Sequence, residues 1–252
     1  MGYSFLEFKE VDNLIPIPIP EKEDYYRDLA DIEQSCTGRI DVWIANTFIL
    51  ESVQLIINSI VLFEKGYFDC AFFSLRQSLE VSTTMVYLIE LDEIDRKKEL
   101  SKWKRKSKFP MYGQMLKFLS DNGSVFIDVK NHLNDYFEEL KKVKESLNKY
   151  VHKQGFDTFY VSRNHFVNRG KDTSVFLEEF SRYIISCIGA LAILRLIIDP
   201  LPVLLMDEEI YSRTGDILTE PYSDEFVKNI SEKSLLRNLK IRRFIEAIMM
   251  RY

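Results

Sequence analysis

Apolar residues return at three- and four-residue steps through most of the chain. In RIDVWIANTFILESVQLIINSIVLFEKG (39–66) they fall at 42, 45, 49, 53, 56, 60 and 63, which predicts a long helix. Gly66 stands where a helix C-terminal cap is expected. From Tyr67 to about Leu91 a second helix turns Phe72, Leu75, Leu79, Val86 and Ile89 inward. Only Lys65-Gly66 separates the two, so they should form an antiparallel hairpin. A shorter helix is expected at 111–120, before the turn DNG (121–123). A third long helix is expected over 124–154, with Ile127, Leu133, Phe137, Leu140, Leu147 and Val151 on one side and Gly155 as its stop. Helix 173–198 ends before Asp199-Pro200, and the tail 222–251 contains one or two amphipathic helices.

IPIPIP (15–20) alternates isoleucine with proline, which lacks an N–H and fixes φ, so it reads as an extended connector ahead of a first helix at 21–35. Residues 156–172 read as a loop, and only DTFYVS (157–162) hints at a two-residue period. The fold class expected is therefore all-α, a bundle of long antiparallel helices. An N-terminal arm and short helix occupy 1–38, a helical domain 39–205, and a C-terminal helical extension 206–252.

Composition adds limits. With 252 residues, 46% of them hydrophobic, the chain can bury a sizeable core. A formal net charge of -5 gives no global attraction to nucleic acid, so such a contact needs a local basic patch. Cys36, Cys70 and Cys187 are odd in number and far apart, which argues against a disulfide framework and for a reducing cytoplasm. MGYSFLEF lacks the basic region and apolar run of a signal peptide. The most apolar stretch, 183–206, is broken by Arg195, Asp199 and two prolines; its uninterrupted part, Ile184 to Leu194, is too short for a bilayer and reads as a core or interface helix. The expectation is a cytoplasmic protein with no membrane partner.

Two places carry candidate chemistry. On the second helix, Asp69, Phe73, Arg76, Glu80, Thr83 and Tyr87 share one face beside the core face. Arg76 and Glu80 are four apart and can pair, either as a solvated ion pair or as part of a half-buried network reaching another helix. In LNKYVHKQG (147–155), Asn148 lies one turn before His152, and Lys149 and Lys153 add positive charge. An imidazole there can move a proton from a ribose 2′-OH or to a leaving oxygen. It can equally be a histidine favourably placed at a helix C-terminus. RKKELSKWKRKSK (96–108) has eight Lys or Arg around Trp103. Lys102, Lys104 and Arg105 can hold phosphates and Trp103 can stack on a base, or the segment is a solvated helix. No metal-ligand spacing surrounds His132 or His165, and glycine-rich phosphate loops are absent, so neither a metal nor a cofactor is expected.

The hairpin with GYFDCAFFSLRQSLE (66–80), followed by LNKYVHKQG, resembles the HEPN superfamily over roughly residues 40–200. These are small all-α domains, often homodimeric. Many are metal-independent ribonucleases of toxin–antitoxin and antiphage defence systems, and others are non-catalytic. Asn148 and His152 match the motif Arg-Asn-x-x-x-His, with Leu147 in the arginine position. The resemblance implies RNA cleavage to a 2′,3′-cyclic phosphate, with His152 and Asn148 at the centre and Arg76, with Glu80 downstream, supplying the displaced cation. It also implies RNA and an antitoxin or other protein as partners. The leucine equally fits a non-catalytic helical dimer that binds a protein, RNA or a nucleotide.

Overall fold

A computed structural model describes residues 16–35, 43–159 and 173–199. Among these are eight α-helices and no strand. They are α1 (Lys22–Gln34), α2 (Ile44–Glu64), α3 (Phe68–Glu90), α4 (Glu93–Lys104), α5 (Tyr112–Asn122), α6 (Ser124–His132), α7 (Asn134–His152) and α8 (Ser174–Ile198). The predicted all-α class holds. The tail expected to be helical at 222–251 lies outside the described residues, as do Cys36 and His165.

The α2–α3 hairpin is the frame. Gly66 takes φ 83, a conformation that costs a glycine little, and the amides of Gly66 and Tyr67 close back onto Phe63 and Leu62 carbonyls at 2.9 and 2.8 Å. Helix α3 is central and packs against α2, α4, α5, α7 and α8. At the hairpin end the Phe63 ring stacks on Phe180 of α8 with centroids 4.0 Å apart, and Phe72 stacks on Tyr150 of α7 at 4.5 Å. Such ring pairs add to area burial and fix the helices' axial positions.

The connector before α1 alternates as its sequence does. Ile17 and Ile19 are buried in the common core, while the prolines between and around them are exposed. Tyr25, Leu29 and Ile32 of α1 join the same core, and Lys22 pairs with Glu64 at 3.0 Å.

Three sequence expectations change. The helix expected over 124–154 is two, because Leu133 leaves the helical region at φ -112, ψ 31. No glycine or proline marks that break. A Phe126–Phe137 ring contact with centroids 5.7 Å apart bridges it. The buried stripe of α7 is Tyr136, Leu140, Val143, Leu147 and Tyr150, so Phe137 and Val151 lie at its edge. Residues 156–158 of the loop form a turn of 3-10 helix instead of extended chain.

The third change concerns α8. It is 25 residues long, and both α2 and α8 are long and apolar enough to cross a membrane by length and composition. Protein covers most of α8 and less than half of α2. Arg195 lies inside α8, as the expected span 173–198 had it. It is 1% exposed and donates from Nε to the Ser35 carbonyl at 2.8 Å, from Nη2 to the same oxygen, and from Nη1 to the Asp199 carbonyl at 2.5 Å. A buried guanidinium is tolerable here because carbonyls at the C-terminal ends of α1 and α8, the negative ends of both helix dipoles, surround it.

Candidate functional site

The polar face of α3 meets α7 and α5. Arg76 sits in the middle of α3 with its side chain 14% exposed. Its Nε donates to Asn148 Oδ1 on α7 at 2.6 Å, and its Nη1 donates to Glu80 Oε2 at 3.2 Å. The guanidinium carbon also lies 5.2 Å from the centroid of the Tyr112 ring on α5. Arg76, Glu80 and Asn148 are thus one hydrogen-bonded group, assembled from residues 72 positions apart by the packing of α7 on α3.

Tyr112 closes the floor. Burial pushes its phenol up to about 12, against the pull of the Thr83 hydroxyl and the Arg76 charge. The ring carries a second cation, since Lys144 Nζ of α7 is 5.1 Å from its centroid. Cys187 of α8 lies beneath, its thiol also pushed up to about 12 by burial. A neutral phenol and thiol leave Arg76, Lys144 and Glu80 as the charges of this region.

Leu147 stands apart from this group. It is 0% exposed, on the core stripe of α7 with Val143 and Tyr150. The next residue, Asn148, is half-buried at the edge of that stripe, and His152 is exposed one turn later, at the last position of α7. Steps of four put Asn148 and His152 on one face, about 6 Å apart along the axis. Among the described residues the imidazole of His152 makes no hydrogen bond or ion pair, so its ring nitrogens are open to a ligand.

The helix end that carries His152 is held from below. Lys153 adopts the left-handed conformation at φ 53, ψ 44 and caps α7. For a residue with a Cβ this costs on the order of 1 kcal/mol. The compensation is visible: its Nζ pairs with Asp69 at the start of α3 and donates to the Thr158 carbonyl at 3.2 Å, and it lies 5.6 Å from the Phe73 ring centroid. Lys149 is exposed on the outer side of the last turn.

The basic segment lies elsewhere. Arg96 caps α3, donating to the carbonyls of Leu88, Ile89 and Leu91 at 2.9, 2.6 and 2.9 Å. Lys102 pairs with Glu99 at 2.5 Å, and Lys104 and Arg105 are exposed. Trp103 is 44% exposed and leans on Phe48 of α2, centroids 5.4 Å apart. Phe48 is four turns up α2 from Phe63, which marks the hairpin end where His152 sits, about 22 Å away. The structure therefore does not bring Lys102, Trp103, Lys104 and Arg105 to Arg76 and His152.

Tyr112, Lys144 and the capping role of Lys153 were not apparent from the sequence. Lys144 had a signal, being four residues before Asn148; Tyr112 had none. Among the described residues no group of three or more His, Cys, Asp or Glu side chains gathers as a metal site. Comparisons with protein-family models, with curated proteins and with solved structures find no match to the chain.

Proposed function

We propose that the chain is a HEPN-like, metal-independent endoribonuclease of the toxin or phage-defence type, acting as a homodimer. The observation that carries this reading is the Arg76–Asn148 hydrogen bond, which puts a guanidinium from α3 beside the Asn-x-x-x-His face of α7. Leu147 faces the core, so the cation of that motif has no place on α7 itself.

In the proposed reaction His152 takes the proton of a ribose 2′-OH. The 2′-oxygen attacks the adjacent phosphorus, the P–O5′ bond breaks, and the 5′-oxygen receives a proton from a histidine, that of the second subunit in a dimer. The products are a 2′,3′-cyclic phosphate and a 5′-OH. Arg76 offsets the charge that grows on the phosphoryl oxygens. Two of its N–H groups are committed to Asn148 and Glu80, and a guanidinium has five, so donors remain for phosphate. Asn148 positions Arg76, and Glu80 holds it against α3.

A second reading is a non-catalytic helical dimer that binds a protein, RNA or a nucleotide. The Glu80 carboxylate supports it, because it already neutralises Arg76 at 3.2 Å. An RNA cleavage assay in EDTA, with preparations freed of host ribonuclease, separates the two. The enzyme reading expects cleavage by the wild type and a loss of about 10²- to 10⁴-fold in both His152→Ala and Arg76→Ala. Undiminished cleavage by His152→Ala, or none by a folded wild-type dimer, sinks it.

A further inference from the structure

Lys144 is a half-buried residue of α7 that shares the Tyr112 ring with another cation. Arg76 and Lys144 lie 5.2 and 5.1 Å from that ring's centroid. Arg76 is compensated by Glu80. Among the described residues Lys144 has no carboxylate within ion-pair reach and no hydrogen bond. Cation–π contact with a tyrosine recovers only part of the hydration that a half-buried ammonium gives up. Two like charges share one ring, and the single carboxylate paired with them is on Arg76, which leaves a local excess of positive charge that an anion would neutralise.

Position says which anion. Lys144, Asn148 and His152 follow one another at steps of four on α7, so they form a single row along that helix. From Lys144 to His152 the line runs about 12 Å, too far for one phosphate to touch both. Resting on the ribonuclease reading above, we infer that Lys144, seated on Tyr112, is a second phosphate-binding position, which holds the backbone of single-stranded RNA on the side of Arg76 away from His152. Its ligand is a phosphodiester next to the scissile one, so the site takes an oligonucleotide, not a mononucleotide. Tyr112 keeps the ammonium in place beneath the strand. Lys144 is a binding residue and takes no part in proton transfer.

The test is equilibrium binding of uncleavable 2′-O-methyl oligouridines, two and six nucleotides long, to wild type, Lys144→Gln and Arg76→Gln across a salt series. The expected result is that the hexamer binds wild type more tightly than the dimer. Lys144→Gln should weaken hexamer binding about fivefold and lower its salt slope by about 0.7, the contribution of one phosphate on a single strand. Dimer binding should be unchanged by Lys144→Gln and weakened by Arg76→Gln. With cleavable RNA, Lys144→Gln should raise KM and leave kcat alone. Hexamer affinity and salt slope equal to wild type in a folded Lys144→Gln overturn the second position and leave the ribonuclease reading standing. Failure of the wild type both to bind and to cleave RNA overturns that reading and the second position with it.

Discussion

Leu147→Arg rebuilds the full Arg-Asn-x-x-x-His motif, and its place in the core means that it should destabilise the protein instead of activating it. Leu147 is 0% exposed on the core stripe of α7, between Val143 and Tyr150, which stacks on Phe72 of α3. Removing the leucine forfeits about 2 kcal/mol of burial. Placing a guanidinium there with no partner adds a desolvation cost of several kcal/mol, and the closed packing leaves it no short path to water. The combined loss is at least about 4 kcal/mol, a large share of the ordinary 5–15 kcal/mol of a folded domain. For a chain of this size it should lower the melting temperature by at least about 8 °C. Leu147→Met, similar in volume and apolar, should cost less than about 1.5 kcal/mol. Urea titrations and thermal melts followed by circular dichroism on the three proteins measure this directly. A Leu147→Arg protein that melts within about 2 °C of wild type and cleaves RNA faster would refute the reasoning. It would mean that residue 147 faces Arg76 and that α7 is turned by about one residue from the register described.

Three further outcomes follow from named contacts. Arg195→Met leaves the Ser35 and Asp199 carbonyls without the guanidinium that they share, and should cost about 2–5 kcal/mol by urea titration; a loss under about 1 kcal/mol would show that the carbonyls find other donors. Gly189→Ala puts a Cβ 2.7 Å from the Tyr136 hydroxyl, which donates to the Ser186 carbonyl at 2.6 Å. It should cost about 1–3 kcal/mol, and part of that should return in the double variant with Tyr136→Phe, where the hydroxyl is gone. Burial holds Cys187 (ordinary value 9.0) and Tyr112 (10.0) protonated up to about 12 in the folded chain. The unfolded chain releases those protons first, so their contribution to stability is full below pH 9 and falls as pH rises from there toward 12. Unfolding free energies at pH 7, 9 and 10.5 should decline over the last interval. Cys187→Ala should shallow that decline, and a pH-independent stability would contradict the burial of both groups.

Helix spans were legible because amphipathic periodicity is a local property, and α2, α3 and α8 repeat it over many turns. The break at Leu133 was not, since its sequence carries no glycine or proline and the chain bends there through aromatic packing between α6 and α7. The left-handed Lys153 was equally hidden: a side chain with a Cβ enters that region at a cost, and Asp69, which helps to hold it, is 84 residues away. Arg195 read as a polar interruption because its carbonyl partners are contributed by the ends of two helices. The basic run 96–108 was legible as composition, but where it lies was not. Its arginine at 96 caps α3, its tryptophan leans on Phe48, and its cations stand at the far end of the hairpin from His152.

The polar face of α3 was visible from the spacing of Arg76 and Glu80, whereas its partner Asn148 followed only from the resemblance and not from spacing, and the reason lies in how α7 packs. The rotation of α7 is set by its buried stripe, which includes Leu147, and one residue further round the helix begins the edge where Asn148 can reach outward. A cation at 147 would have to oppose that rotation, which several buried side chains enforce together. A cation at 76 opposes nothing, because α3 already turns a polar face toward the same edge. Placing the charge on α3 makes it compatible with a closed core, and the cost is that Arg76 must be steered across the interface by Asn148 and Glu80. Under the proposed chemistry, Asn148→Ala should therefore impair catalysis through a displaced arginine, whereas Asn148→Asp should retain Arg76 through an ion pair while weakening its hold on phosphate. Cleavage rates for the two variants, with the Arg76 side-chain resonances followed by NMR, distinguish that positioning role from one in which Asn148 touches the substrate itself, where Arg76 would not move in either variant.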